Sequence, residues 1–331
     1  MSGVNAASTP DKAELRSWLP GYLALALIWG SSFLFIKVAV RELHPLYVAL
    51  GRVGVGALVL AVALLVTRAP LPREPRVWGH LTVIGVVGVA IPFALFSYGE
   101  ERVSSVLAGI WNATTPLFVL PIAVLAFRTE RMTLRRAIGL VLGFIGVLVV
   151  LGVWHGIGGA HLTGQLMCVG AALCYGIAIP YTRRFLSSPQ ASPLALPAGQ
   201  VITATIALLV VTPLVAGAPP APTDVSLPAV GCVLALGALG TGLAFVLMFR
   251  VVRMAGASMA ASVTYLLPIV ATVIGVVVLN EELSWYQPAG AAVVLLGVAV
   301  SQGAFRLPAG RSGAPLTSDD IPQDETVVSR R

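Results

Sequence analysis

The sequence predicts an all-α membrane protein with ten transmembrane helices, arranged as two inverted five-helix repeats. Three observations lead to this fold class. Hydrophobic residues make up 57% of the 331 residues and charged residues only 11%, whereas a soluble domain carries about 25% charged residues. The apolar residues fall into ten runs, each of about 20 residues, the length that a helix needs to cross the hydrocarbon of a bilayer. The chain also repeats its own motifs across its midpoint.

The ten runs are predicted to be continuous helices, because irregular backbone cannot face lipid. Residues 1–17 precede them and are predicted to form a cytoplasmic tail, and residues 307–331 to form a disordered cytoplasmic tail. The first run is too long for the core of a signal peptide and ends without a small-residue cleavage site, so we expect it to be retained. In chain order the runs are Leu19–Val40, Leu46–Val66, Val77–Tyr98, Val103–Phe127, Leu134–Val153, Leu162–Leu186, Leu194–Val215, Leu227–Phe249, Ala257–Leu279 and Trp285–Phe305.

Recurring spacings place the first repeat at 18–155 and the second at 160–306. Two glycines follow Glu130 by nine and sixteen residues, and two glycines follow Glu281 by the same intervals. Each repeat holds an odd number of helices, so the second copy must cross the membrane in the opposite sense. This arrangement is an inverted repeat, with its pseudo-twofold axis in the membrane plane.

The positions of lysine and arginine predict that both termini are cytoplasmic. With the N-terminus inside, 17 of the 21 basic residues fall in cytoplasmic segments, and only Arg41 and Arg102 fall in outer loops. Such a bias is what orients membrane helices. It also accounts for the net charge of +7 without a nucleic-acid partner, because the basic residues do not gather in one domain. The expected location is therefore the cell membrane, as a multi-pass protein.

An ordered set of short motifs accompanies this pattern. It comprises Trp29, Gly30, Ser31 and Ser32 in the first run, Arg52 in the second, Pro116 and Pro268 within the fourth and ninth, and the turn Asn280–Ser284 before a glycine-rich final run. Together these features resemble the EamA type of the drug/metabolite transporter superfamily over residues 18–305. That family usually has a glycine before the glutamate of each turn, where this chain has Thr129 and Asn280. The resemblance implies movement of small metabolites by alternating access.

The candidate substrate-binding residues lie well inside the predicted helices. A proline within a helix leaves the carbonyl four residues earlier without its N–H partner, so Pro116 and Pro268 are predicted to be helix breaks or hinges and to free the carbonyls of Asn112 and Thr264. Such groups can line a cavity, or a neighbouring helix can satisfy them. An inner aromatic side chain can either face a ligand or fill the core. The predicted substrate-binding set is Trp29, Trp111, Asn112, Tyr175, Thr264 and Tyr265.

Charged residues near the outer ends of the first three helices form a second candidate group. An ionisable side chain within a membrane costs several kcal/mol unless it is paired or hydrated. The cations can pair with the glutamates as an outer gate, or they can be static anchors that extend to the headgroups. The group comprises Lys37, Arg52, Glu100 and Glu101.

Two further glutamates, Glu130 and Glu281, lie in turns shortly before a predicted helix. A carboxylate in that position complements a helix N-terminus, and proton coupling is the alternative.

The sequence offers no catalytic residue, metal ligand or cofactor motif. It lacks a phosphate loop, a His-Glu-x-x-His site and a Gly-x-Ser-x-Gly elbow, and its three cysteines lie inside apolar runs as packing residues. We therefore expect a secondary-active transporter rather than an enzyme, one that exports small metabolites such as amino acids or amphiphilic drugs. Its expected partners are a small-molecule substrate, the lipid bilayer and a second copy in a homodimer. An intramembrane enzyme acting on lipid-linked substrates and a non-transporting scaffold or sensor remain as alternatives.

Overall fold

The computed structural model describes residues 12–155, 159–186 and 194–302. Residues 1–11 of the first predicted tail and all of the second, 307–331, lie outside the described residues. The described chain forms ten long helices and no strand, and nine of those helices are long and apolar enough to span a membrane. The helices are α1 Lys12–Ala39, α2 Pro45–Thr67, α3 Pro75–Glu100, α4 Ser105–Leu125, α5 Leu134–Leu151, α6 Gly159–Phe185, α7 Ala195–Ala216, α8 Leu227–Gly256, α9 Met259–Leu279 and α10 Tyr286–Gln302.

Equivalent contacts in the two halves fit the inverted repeat. The first helix of each repeat packs through a glycine against the fourth helix of the other. At both positions the neighbouring helix leaves no room for a side chain. A Cβ added to Gly30 of α1 would lie only 2.5 Å from Val270 Cβ of α9, and a Cβ added to Gly176 of α6 would lie only 2.5 Å from Phe118 Cβ of α4. The all-α fold of ten helices in two inverted repeats is therefore confirmed, with α1–α5 as one copy and α6–α10 as the other.

The last helices of the two repeats, α5 and α10, pack backbone to backbone. A Cβ added to Gly146 would lie 2.6 Å from the amide nitrogen of Val294, and a Cβ added to Gly290 would lie 2.6 Å from that of Val150. Small residues allow this approach, which replaces the hydrophobic effect as the source of helix association in lipid. The glycine-rich faces thus brace two helices of one chain, and the homodimer stays a prediction.

The prediction of continuous helices is wrong for four of the ten. One π-helical turn interrupts α3 at Val86–Ala90, and another interrupts α8 at Ala238–Leu243. Helix α4 is broken between its halves, and α9 passes through a 3₁₀ turn at Val263–Tyr265. The interruptions occupy matching places in the two repeats, so each belongs to the repeated unit.

The two π-helical turns have different local causes. In α3, Pro92 follows the turn, and its ring would clash with the carbonyl four residues earlier in a regular helix. In α8 no proline follows, and the Thr241 hydroxyl instead donates to the Leu236 carbonyl, five residues earlier, at 3.2 Å. A side-chain donor thereby satisfies a carbonyl at the widened turn, as burial in a membrane requires.

We expect Gly297→Leu to disrupt the α5–α10 contact. A Cβ at this position would lie 2.6 Å from the Gly139 carbonyl oxygen and 2.8 Å from Gly143 Cα, and backbone atoms cannot move aside as a side chain can. The variant should lose at least about 2 kcal/mol of stability, measured as thermal unfolding in detergent. Gly54→Leu is the matched control, because a Cβ there meets nothing within 4 Å. Equal losses in both variants would contradict this account of the contact.

An outer-loop contact should depend on pH. Glu42 Oε2 accepts a hydrogen bond from Ser226 N and Oε1 accepts one from Ser226 Oγ, both at 2.7 Å, and these bonds lower the pKa of Glu42 below its usual 4.5. Because the folded-state pKa is the lower one, the stabilisation is present above the unfolded pKa and is lost as pH falls through the folded pKa. Glu42→Gln should therefore slightly lower the unfolding temperature at pH 7 but not at pH 3. A difference that persists at pH 3 would contradict the assignment.

Candidate functional site

The break in α4 lies beside Asn112 and Pro116. The outer half ends at Asn112, and the inner half, Thr115–Leu125, has Pro116 as its second residue. The Thr115 hydroxyl donates to the Asn112 carbonyl at 2.7 Å. A local side chain therefore satisfies the carbonyl that the sequence predicted to be free, while the Asn112 side chain is half-buried.

The break in α9 occupies the corresponding place in the second repeat. Thr264 and Tyr265 lie in the 3₁₀ turn and are half-buried, and Pro268, which begins the outer half, is buried. The Thr264 hydroxyl donates to the Ala261 carbonyl at 2.9 Å. As in α4, the polar side chain lies one helical turn before a proline.

Helices α4 and α9 approach each other through their outer halves. A Cβ added to Gly109 of α4 would lie 2.6 Å from Ala271 Cβ of α9, and one added to Gly275 of α9 would lie 2.5 Å from Val106 Cγ2 of α4. Asn112 follows these contacts along α4, and Thr264 precedes them along α9. The two breaks are therefore placed at the same edge of the α4–α9 contact.

The predicted aromatic residues are distributed over three clusters. Trp111 is only 1% exposed, and its cluster includes the half-buried Tyr175, whose ring centroid lies 6.3 Å from that of Phe96. Trp29 belongs to a separate cluster of α1, α8 and α9, and its Nε1 donates to the Gly240 carbonyl in the π-helical turn at 3.1 Å. Tyr265 packs against a third cluster, formed by Leu117, Val294 and Val298. The structure therefore does not gather the six predicted residues at one point.

The predicted outer-gate residues do not pair with one another directly. Lys37 Nζ donates to two carbonyl oxygens at the α3–α4 turn, those of Glu100 at 2.5 Å and Val103 at 2.8 Å. Glu101 is exposed and pairs with Arg102 at 3.0 Å. The Glu100 carboxyl is fully buried, and neither of its oxygens has a hydrogen-bond partner among the described residues. The outer gate itself stays a prediction, without ion pairs between these four residues in this conformation.

Arg52 lies away from the headgroups. It follows the start of α2 by seven residues, which corresponds to about 10 Å along the helix, and it is 8% exposed. Its Nε donates to Thr241 Oγ1 at 3.2 Å, and its Cζ lies 3.8 Å from the centroid of the Phe93 ring. Arg52 is thus held inside the bundle in this conformation, and both of its predicted roles, outer gate and static anchor, stay predictions.

The sequence did not indicate the partner of Glu281. Its carboxylate does complement a helix N-terminus, but that helix is α4 of the other repeat rather than the following α10. It accepts hydrogen bonds from Ser105 N at 2.8 Å, Val106 N at 3.0 Å and Ser105 Oγ at 2.9 Å. Charge-assisted bonds of this kind are stronger than neutral ones, so Glu281 joins the α9–α10 turn to α4.

Its counterpart, Glu130, forms ion pairs with Arg136 at 3.0 Å and Arg183 at 2.9 Å. Arg183 occupies the place in α6 that Lys37 occupies in α1, since each follows its inner aromatic residue by eight positions. Both repeats therefore bring a basic residue and a turn glutamate to the same face, at opposite ends of the bundle.

Phe93 and Thr241 were also not predicted as site residues. The phenylalanine resembles the many apolar residues around it, and the threonine lies in a stretch of small residues, Gly240 to Gly242. A threonine among glycines within a membrane helix was the available signal, but its contact with Arg52 depends on the fold.

Comparison with known proteins places these features in a family. The model of the EamA-like transporter family matches residues 16–152 and residues 162–302. An Archaeoglobus fulgidus protein named an uncharacterized transporter is 25% identical, over 86% of this chain and 98% of its own. The Escherichia coli protein YedA, named an uncharacterized inner membrane transporter, is 26% identical over 92% and 98%.

A solved structure shares the fold. Its TM-score is 0.62 at 20% sequence identity, and the match covers 88% of this chain and 99% of the other. The family matches cover more than half of the chain, one in each repeat, and they confirm the resemblance drawn from the motifs. The chain is thus a multi-pass membrane transporter that belongs to the EamA-like transporter family, in the drug/metabolite transporter superfamily.

Proposed function

We propose that this transporter exports small metabolites, such as amino acids or amphiphilic drugs, by alternating access. The observation that carries the proposal is the pair of breaks in α4 and α9, each with a half-buried polar side chain one turn before a proline. Discontinuous helices near the membrane midplane, at the interface of inverted repeats, are typical of substrate sites in secondary transporters. Asn112 and Thr264 are the proposed polar contacts to the substrate, and Trp29, Tyr175 and Tyr265 its aromatic neighbours.

The contacts at the outer face support the direction of transport. Glu281 holds the N-terminus of α4, and Lys37 holds the carbonyls of the α3–α4 turn. With both termini in the cytoplasm, as the distribution of basic residues favours, these contacts close the extracellular side. A transporter that rests in this state loads its substrate from the cytoplasm, which is the arrangement an exporter needs.

Transport should be measured with purified protein in liposomes, against a panel of amino acids and amphiphilic drugs. Protein-containing liposomes should move at least one compound faster than empty liposomes. Asn112→Ala should reduce that rate by about tenfold, the effect of one lost hydrogen bond of about 1.4 kcal/mol. Leu125→Ala, at a 76% exposed position of the same helix, is the control. If no compound moves, or if the two variants behave alike, the proposal fails.

Glu281→Ala should shift the protein toward an outward-open state. The change removes three hydrogen bonds that hold α4 to the α9–α10 turn. A loss of about 2 kcal/mol corresponds to a shift of roughly thirtyfold in the ratio of open to closed states. The readout is the rate at which an impermeant thiol reagent added outside labels Asn112→Cys.

The neighbouring Glu282 is exposed, so Glu282→Ala is the matched control for this shift. Labelling that is unchanged by Glu281→Ala, or equally raised by both substitutions, would show that the Glu281 contact does not close the outer face.

A further inference from the structure

We propose that Arg52 binds an anionic group of the transported solute, so that the substrate carries a carboxylate or a phosphate. This inference rests on the proposed transport function and adds to it the chemical class of the substrate. Four observations support it: among the described residues Arg52 forms no salt bridge, its terminal nitrogens donate no hydrogen bond among those residues, it lies between the two repeats, and the matching position of the second repeat holds an uncharged residue.

The buried guanidinium of Arg52 forms no salt bridge with a described residue. In the described part of the chain, the ion pairs join Glu101 to Arg102, and Glu130 to Arg136 and Arg183. The buried Glu100 carboxyl interacts with Arg52 electrostatically but makes no direct contact of this kind. A buried charge without a hydrogen-bonded ion partner is unfavourable, and ionisable residues inside a membrane usually mark the path of a substrate or ion.

The guanidinium of Arg52 is held in place, but only one of its three nitrogens donates a hydrogen bond to a described residue. Nε donates to the Thr241 hydroxyl, and the ring of Phe93 covers one face. Among the described residues neither Nη1 nor Nη2 donates a hydrogen bond, so both remain available. A Cβ added to Gly240 would lie 3.8 Å from Nη2, so the glycine leaves space beside that nitrogen. A planar fork with two free nitrogens matches a carboxylate or phosphate group.

The residues around the guanidinium come from both repeats. Arg52 and Phe93 belong to the first copy, whereas Thr241 belongs to the second. Tyr175, also of the second copy, is close enough to interact electrostatically with Arg52. Substrate sites of inverted-repeat transporters lie at this interface, and a tyrosine hydroxyl can donate a further hydrogen bond to an anion.

The second repeat makes the matching helix contact without a cation. Gly51 packs on Val233 of α8, and its counterpart Gly199 packs on Leu81 of α3. The residue after Gly51 is Arg52, and the residue after Gly199 is Gln200. This helix contact therefore forms beside an uncharged glutamine in one repeat, which supports a role for the Arg52 charge beyond helix packing.

The test compares anionic solutes with neutral analogues in proteoliposomes of the full chain. The pairs are succinate and succinamide, N-acetylphenylalanine and its amide, and glycerol 3-phosphate and glycerol. We expect the wild-type protein to move at least one anion about tenfold faster than its neutral analogue. Arg52→Gln should abolish that preference, and Arg52→Lys should keep a weaker one, since it retains the charge without the fork. Comparing the two carboxylate pairs with the phosphate pair identifies which kind of anion the protein transports.

Arg41→Gln is the matched control, because Arg41 is exposed in the outer loop. Folding of each variant is checked by size exclusion and thermal unfolding. If the wild type moves only neutral or cationic solutes, or if folded Arg52→Gln keeps the preference for the anion, the inference is overturned while the proposed transport function stands.

Binding of the same probes to purified protein, followed by tryptophan fluorescence, separates the two proposals further. If no compound of this panel or of the amino-acid and drug panel is transported, but an anion binds to the wild type about tenfold more tightly than to Arg52→Gln, the transport proposal fails and the anion site stands. If the protein neither moves nor binds any anion of the panel, the inference is overturned.

Discussion

No water reaches the hydrocarbon core of a bilayer to satisfy a broken helix, and the structure of this transporter depends on that constraint. Three of the four interruptions have a side-chain hydroxyl that donates to a nearby carbonyl: Thr115 to Asn112 in α4, Thr241 to Leu236 in α8, and Thr264 to Ala261 in α9. At the start of α4, the Glu281 carboxylate accepts hydrogen bonds from the N-terminal amides. Because the partners are built in, the helices can be discontinuous at the level where a substrate would bind.

Close packing through glycine makes the second contribution. Gly30 and Gly176 let the first helix of each repeat approach the fourth helix of the other, and Gly146 and Gly290 bring α5 and α10 together. The backbone architecture is therefore nearly the same in the two halves. The side chains are not: a buried arginine on α2 corresponds to Gln200 on α7. The two repeats therefore share a backbone frame but differ in the charge that they place at this position.

Much of this fold could be predicted from the sequence because its signals are local. Run length and charge gave the membrane spans, spacing gave the repeats, and Pro116 and Pro268 marked two of the four interruptions. The π-helical turn in α8 lacked such a mark, because it depends on a threonine hydroxyl rather than on a proline. Turns of this kind are frequently associated with function.

The contacts of the candidate site were harder to predict, because they join residues far apart in sequence. Glu281 binds Ser105, 176 residues away, and Arg52 binds Thr241, 189 residues away. A sequence motif places a residue on a helix, but not on the face that meets another repeat. For the same reason Trp111 and Trp29, which have similar positions in their spans, occupy different clusters.

In the proposed cycle, the closed outer face combines contacts that favour closure with one that opposes it. Glu281 and Lys37 make hydrogen bonds that favour closure, whereas the same closure buries the Glu100 carboxyl, whose oxygens have no hydrogen-bond partner among the described residues. Burying a polar group without a hydrogen bond costs free energy, and opening the face to water would remove that cost. In the proposed cycle, the opposition keeps the two states within a few kcal/mol of each other, a gap that the binding of one substrate can reverse.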